Sequence, residues 1–161
     1  METKGNQMII AVDPGSSSGA IATYAHQKLL VYNMPSTPTD LFDFLDAIAS
    51  NSNELIQGVA ENVGGAMPGN AAKSARTFAI HQGHLEMALI AAGISTIKVT
   101  PRKWMDAVAK GRPLGVEKKT ARKNYIYDQM QRRWPGVKFT KKQADAVGIL
   151  TWYLDTHDGV V

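Results

Sequence analysis

The apolar residues of this chain first change their spacing at Pro38, and that change restricts the fold more than any other feature. Before it lie three short apolar runs, Met8–Val12, Gly19–Tyr24 and Leu29–Met34. The first is continuous and stops at the turn signal Asp13-Pro14-Gly15, so it reads as a strand buried on both faces. A tight polar turn, Ala25 to Lys28, joins the second and third, and three strands linked by short turns make an antiparallel meander. After Pro38 the period becomes helical. Thr39 is expected to cap a helix that carries Leu41, Phe42, Leu45 and Ile48 on one side. Leu55–Ala60 reads as a fourth strand ending at Glu61, and Ile94–Val99 as a fifth. Between them Asn70–Ala92 reads as one long helix, with Phe78, Leu85 and Leu89 on one face and Gly93 just past its end. Thr100-Pro101 pairs a capping hydroxyl with a proline at the first helical position and starts a short helix to about Ala109. Val116–Arg133 reads as a basic amphipathic helix, with Ile126, Met130 and Trp134 at four-residue spacing. Thr140 is expected to cap a last helix, Lys141–Asp155.

The order is therefore β-β-β-α-β-α-β-α, with further helical sequence near the end. Strands that follow helices join a sheet as parallel additions, here beside an antiparallel pair. The expected class is α/β: a five-stranded mixed sheet flanked by helices, which is the RNase H-like order. At 161 residues the chain fits a single domain with one hydrophobic core, residues 1–6 and 156–161 being tails. A hydrophobic share of 44% and a charged share of 20% exclude a disordered tail. No apolar run approaches the roughly 18 residues of a membrane span, and Met1 to Gln7 is polar, unlike a secretory leader. With no cysteine there are no disulfides and no thiolate zinc site, and a cytoplasmic location is expected.

Chemistry concentrates in three acids. Asp13 and Glu61 each end an apolar strand, at the sheet edge where open α/β sheets bind ligands if those strands are neighbours. Asp145 has Gly148, Ile149 and Trp152 at i+3, i+4 and i+7, so it lies on the apolar face of its helix and needs a partner or a cation there. Singly, each has an ordinary role: Asp13 in a turn, Glu61 approaching a helix, Asp145 favoured by a helix dipole. Together they form a hard, all-oxygen set suited to Mg²⁺ or Mn²⁺, and two such ions could hydrolyse a phosphodiester.

Net charge is +4, and its placement is uneven. Before Lys73 the only cations are Lys4 and Lys28, so sixteen of the eighteen lysines and arginines lie from Lys73 onward. Such asymmetry suits a polyanion-binding face.

Four segments carry a family resemblance. Ile9 to Ala20, with Asp13-Pro14-Gly15 at its centre, resembles the opening strand and turn of RuvC-type Holliday junction resolvases. Val59-Ala60-Glu61 followed by Met67-Pro68-Gly69 is similar to their second acidic motif, above all in the small phage-borne branch. Val99-Thr100-Pro101-Arg102-Lys103-Trp104 resembles the segment after that branch's fifth strand, and Ala144 to Ile149 the C-terminal helix motif. The resemblance implies a homodimer that binds four-way DNA junctions. Each subunit would nick one strand with two divalent ions, leaving 5′-phosphate and 3′-hydroxyl ends. Asp13, Glu61 and Asp145 would map onto the metal-binding acids. The family places a fourth ligand, Asp or His, three residues before the last acid, and this chain has Lys142 there. Lys142 would either point its ammonium away or touch the scissile phosphate or the attacking water.

The DNA contacts expected next to Glu61 are Met67, as an apolar wedge or a loop-core filler, and the helix start with Asn70, Lys73 and Arg76. Lys118, Lys119, Arg122 and Lys123 form a mutually repulsive stripe on one helix, which favours a polyanion over an idle solvated face. Arg102, Lys103, Lys110 and Arg112 are weaker candidates, and His81 and His84 read as ordinary helix residues. The leading expectation is an endonuclease acting on branched DNA. The alternatives are another RNase H-like nuclease, acting on RNA or flaps, and a junction-binding protein with weak or no cleavage. Phosphotransfer would need a second domain to enclose ATP.

Overall fold

A computed structural model describes residues 7–64 and 71–157. The chain begins with β1 (Gln7–Asp13), β2 (Ala20–Ala25) and β3 (Lys28–Asn33), then α1 (Pro38–Asn51) and β4 (Leu55–Glu61). Helix α2 (Ala72–Ala91), β5 (Ser95–Val99) and α3 (Pro101–Val108) follow. A 3₁₀ turn, Val116–Lys118, leads into α4 (Lys119–Arg133), and α5 (Ala144–Thr156) ends the described chain. The sheet order is β3-β2-β1-β4-β5. β1, β2 and β3 pair antiparallel, while β4 joins β1 and β5 joins β4 in parallel. This is the expected α/β architecture. The β2–β3 turn places His26 and Gln27 at φ 49° and 61°, a two-residue turn in the left-handed backbone region whose twist matches that of the flanking strands.

Residue parity along the central strands distributes the core between two layers. Ile10 and Val12 of β1 and Ala60 of β4 pack with Leu41 and Leu45 of α1 and Leu85 and Leu89 of α2. Ile9 and Ala11 of β1 and Val59 of β4 face the other way, into a layer with Trp104 of α3, Ile126 and Met130 of α4, and the buried face of α5. Successive side chains of a strand point to opposite faces, so Asp13 and Glu61 fall on the α5 side.

Four helix starts differ from the expectation, among them α4, which begins at Lys119 after the 3₁₀ turn and not at Val116. The cap of α1 is Thr37, whose hydroxyl oxygen accepts from the Asp40 amide at 3.0 Å, not Thr39. Pro38 explains this: lacking an N–H it belongs inside the first turn, so the hydroxyl just before it is the one that caps. Helix α2 begins at Ala72. Helix α5 begins at Ala144, because Lys141, Lys142 and Gln143 form a turn closed by the Gln143 amide on the Thr140 carbonyl (3.0 Å). The Gln143 side chain caps that turn, accepting from the Thr140 amide at 2.8 Å, so Thr140 is not the helix cap. At the other end α5 includes Thr156, which had been assigned to a tail. No described helix is long and apolar enough to cross a membrane.

Candidate active site

The register of the parallel pair brings the first two acids side by side. Val12 stands opposite Ala60, so Asp13 and Glu61 occupy the next position on adjacent strands. The loop behind Asp13 is closed tightly. The Gly19 amide donates to the Gly15 carbonyl at 3.0 Å, and a Cβ on Gly19 would lie 2.5 Å from the Asp13 carbonyl oxygen. A side chain there would push the Asp13 backbone out of the sheet edge. Behind Glu61, the Asn62 amide donates to the Val99 carbonyl at 2.7 Å and ties the strand end to β5.

Asp13 and Glu61 are each only 8% exposed, and the Asp145 side chain is 14% exposed. All three line one cleft of about 710 Å³. Helix α5 packs across β1 and β2 and delivers Asp145 from its first turn. Burial raises the Asp13 carboxyl well above the usual carboxylate range, and the Asp145 and Glu61 charges push it the same way. Burial likewise lifts Glu61 to about 7, opposed by a hydrogen bond from Trp104. Asp145 is raised by burial and held back by Lys123, Arg122 and Lys119. The acids thus repel one another in a poorly solvated place, the electrostatic condition under which a cation binds.

Their donors are few. Glu61 Oε1 accepts from the Trp104 indole N–H at 2.7 Å. Asp145 Oδ2 stands 3.6 Å from the Lys123 ammonium, an ion-pair distance and not a hydrogen bond. Asp145 Oδ1 is buried with no hydrogen-bond partner. Among the described residues no three His, Cys, Asp or Glu side chains stand close enough to hold one ion as they are oriented. The donor chemistry fits a hard divalent cation all the same: carboxylates only, mutually repelling, with one buried oxygen unpartnered. Holding the ion would take a different arrangement of these side chains.

The basic residues divide by position. Lys119, Arg122 and Lys123 line the same cleft as the acids, from the first turns of α4. Lys118 ends the preceding 3₁₀ turn and is exposed. Arg102 and Arg112 are turned to an acid: Asp106 lies 3.5 Å from Arg102 and 2.5 Å from Arg112. Lys73 and Arg76 are exposed at the start of α2 and do not line the cleft. Met67 and Asn70 lie outside the described residues. Lys142 is exposed in the turn ahead of α5 and is absent from the cleft lining, so the expected placement on Asp145's helix face does not hold. The reason is the late helix start. The lysine that does face Asp145 comes from α4. His81 and His84 sit by a separate cavity of about 160 Å³, beside Ser16 and the Pro35–Pro38 segment.

Trp104 is fully buried and does two things at once, filling the α3–α5 layer and donating to Glu61. A signal for it was present in Gly148, a glycine inside the buried stretch of a helix. A Cβ on Gly148 would lie 2.5 Å from Trp104 Cζ3.

No protein-family model matches the chain, and no curated protein matches it in sequence. Solved structures do. RuvC of Thermus thermophilus in complex with a Holliday junction substrate superposes with a TM-score of 0.59 at 13% identity, covering 96% of this chain and 97% of that one. A further Thermus thermophilus RuvC structure gives 0.54 at 12% identity, covering 92% and 96%. With strand order, parity and sheet-edge acids already in place, this likeness over nearly the whole of both chains establishes the fold: the chain has the RNase H-like fold of RuvC.

Proposed function

We propose that the chain is an endonuclease that cuts branched DNA, four-way junctions foremost, by divalent-metal-dependent hydrolysis of a phosphodiester. One observation carries this reading: the carboxylates of Asp13, Glu61 and Asp145, from β1, β4 and α5, share a cleft with the cations Lys119, Arg122 and Lys123, of which only Lys123 faces one of the acids at ion-pair distance. Cations beside acids in one groove suit a phosphate held against metal-binding oxygens. The solved RuvC bound to a junction supports the choice of substrate.

In this reading Asp13, Glu61 and Asp145 hold Mg²⁺ or Mn²⁺, two per site. Such ions, if held there, would acidify a water and balance the charge of the leaving oxygen. The chain's own groups do the rest. Lys119 and Arg122, with no acid within 4 Å among the described residues, draw the strand into the groove and fix its phosphate. Lys123 exchanges its contact with Asp145 for the phosphate once the acids are neutralised otherwise. Water attacks phosphorus, the P–O3′ bond breaks, and the ends are a 5′-phosphate and a 3′-hydroxyl. A four-way junction needs two nicks, so we place two copies on it as a homodimer. The exposed Ile80, Met87 and Ile90 of α2 supply the apolar surface for that contact.

Purified protein incubated with a mobile four-way junction, a flap, an RNA–DNA hybrid and plain duplex, with and without Mg²⁺ or Mn²⁺, tests the reading. Paired, metal-dependent nicks on the junction are expected. Binding without cleavage in either metal would replace the nuclease by a junction-binding protein, and cutting confined to the flap or hybrid would replace the substrate.

A further inference from the structure

We propose that Trp104 is a positioning residue of the acidic site, orienting the Glu61 carboxylate and setting how closely the helix bearing Asp145 approaches it. This rests on the reading of the acids as metal ligands.

Four contacts build the arrangement. Glu61 pairs with Val99 across the β4–β5 ladder, so the end of β5 is registered to the acid. Thr100 caps α3 and its carbonyl accepts from the Trp104 amide at 3.3 Å, which places Trp104 in the first turn after that strand. The indole N–H then reaches Glu61 Oε1 at 2.7 Å. On its far side the ring lies over Gly148, one helical turn beyond Asp145, with no room for a methyl group between them.

The chemistry of the donor matters. An indole N–H only donates; it neither ligates a metal nor gains or loses a proton in the working range. It therefore restrains one carboxylate oxygen whatever the charge in the cleft, and leaves the other oxygen to turn toward a cation. A buried Trp commonly finds a partner for its N–H. Here the partner is an acid of the site, and the ring is also the spacer against α5. Outer partners of this kind orient ligands and typically govern metal affinity.

The test is Mn²⁺ binding in the absence of DNA, read by electron paramagnetic resonance of free Mn²⁺, with fold checked by circular dichroism. Trp104→Phe keeps most of the bulk and loses the donor. Benzothienylalanine incorporated at position 104 keeps the full shape and replaces N–H by sulfur, so the test survives if the phenylalanine variant fails to fold. Both are expected to weaken Mn²⁺ binding by roughly 10- to 100-fold. In a Glu61→Gln background, Trp104→Phe is expected to weaken it no further, because the group it positions is gone. Folded variants that bind Mn²⁺ as tightly as the parent overturn the proposal, as does equal weakening with and without Glu61, which marks general damage to the core. A parent protein that binds no Mn²⁺ overturns the metal-centre reading together with this one.

Discussion

Val12 and Asp13 are neighbours on β1, as Ala60 and Glu61 are on β4, yet they belong to different regions of the molecule. Val12 and Ala60 point into a layer closed by α1 and α2, where they join an apolar cluster with Leu41, Leu45, Leu85 and Leu89. Asp13 and Glu61 point the other way, where the apolar layer under α3, α4 and α5 stops short of the sheet edge. There the covering helices contribute an acid from α5, an indole N–H from α3 and ammonium and guanidinium groups from α4. The difference is one of satisfaction. Leu41 and Leu45 gain by leaving water, whereas the three acids lose solvation and meet each other's charge. One layer stabilises the fold; the other stores a demand for a cation.

That contrast can be broken experimentally, and the largest effect is expected at the acids. Asp145→Asn should lower junction nicking by roughly 10³-fold, about 4 kcal/mol of transition-state stabilisation. The metal-free melting temperature should stay level or rise, since a repelling charge is removed; a parallel loss of stability would deny the contrast. Leu45→Ala on the opposite layer should do the reverse. It should cost about 2–5 kcal/mol in denaturant unfolding, with Mn²⁺ affinity unchanged while the protein is folded.

The pH dependence follows from the raised carboxyls. The folded protein holds a proton on Glu61 up to about 7, while the unfolded chain releases it near 4.5. Between those values the unfolded state binds fewer protons, so metal-free stability falls as pH rises through that window and levels off above it. Below 4.5 the contribution is absent. The drop from Glu61 is on the order of 3 kcal/mol, and Asp13 and Asp145 act in the same direction. Thermal melts across pH should show the fall, flattened in Glu61→Gln and offset by Mg²⁺. A metal-free protein that gains stability across this window would contradict the electrostatic account.

The smallest effects concern the cations. Lys123→Ala should weaken junction binding in Ca²⁺ and reduce the salt slope of affinity by about 1. Lys142→Ala, outside the cleft lining, should change neither binding nor nicking as much. Equal effects would mean that the turn ahead of α5 also reaches the strand.

Much of this was legible beforehand. Continuous apolar runs marked the strands, and the acids at the ends of β1 and β4 stood out because a charged group there interrupts a buried pattern. Helix starts were less legible where turn and helix compete for the same polar residues. Thr140 to Gln143 can cap a helix or close a turn, and the Gln143 side chain settles it as a turn. That displacement removes Lys142 from Asp145 and leaves the place to Lys123, 22 residues away in sequence.

The sequence by itself determined the order of elements, the alternation of residues along each strand, and the place of Asp13 and Glu61 at strand ends. Periodicity is a local property, and local spacing suffices for that. Only the tertiary structure decided which helix residues meet those acids. Trp104 reaches Glu61, and Lys123 reaches Asp145, because α3 and α4 pack against α5 at distances set by side-chain volume, down to the missing methyl of Gly148. Such meetings depend on how surfaces fit, and no spacing along the chain encodes them.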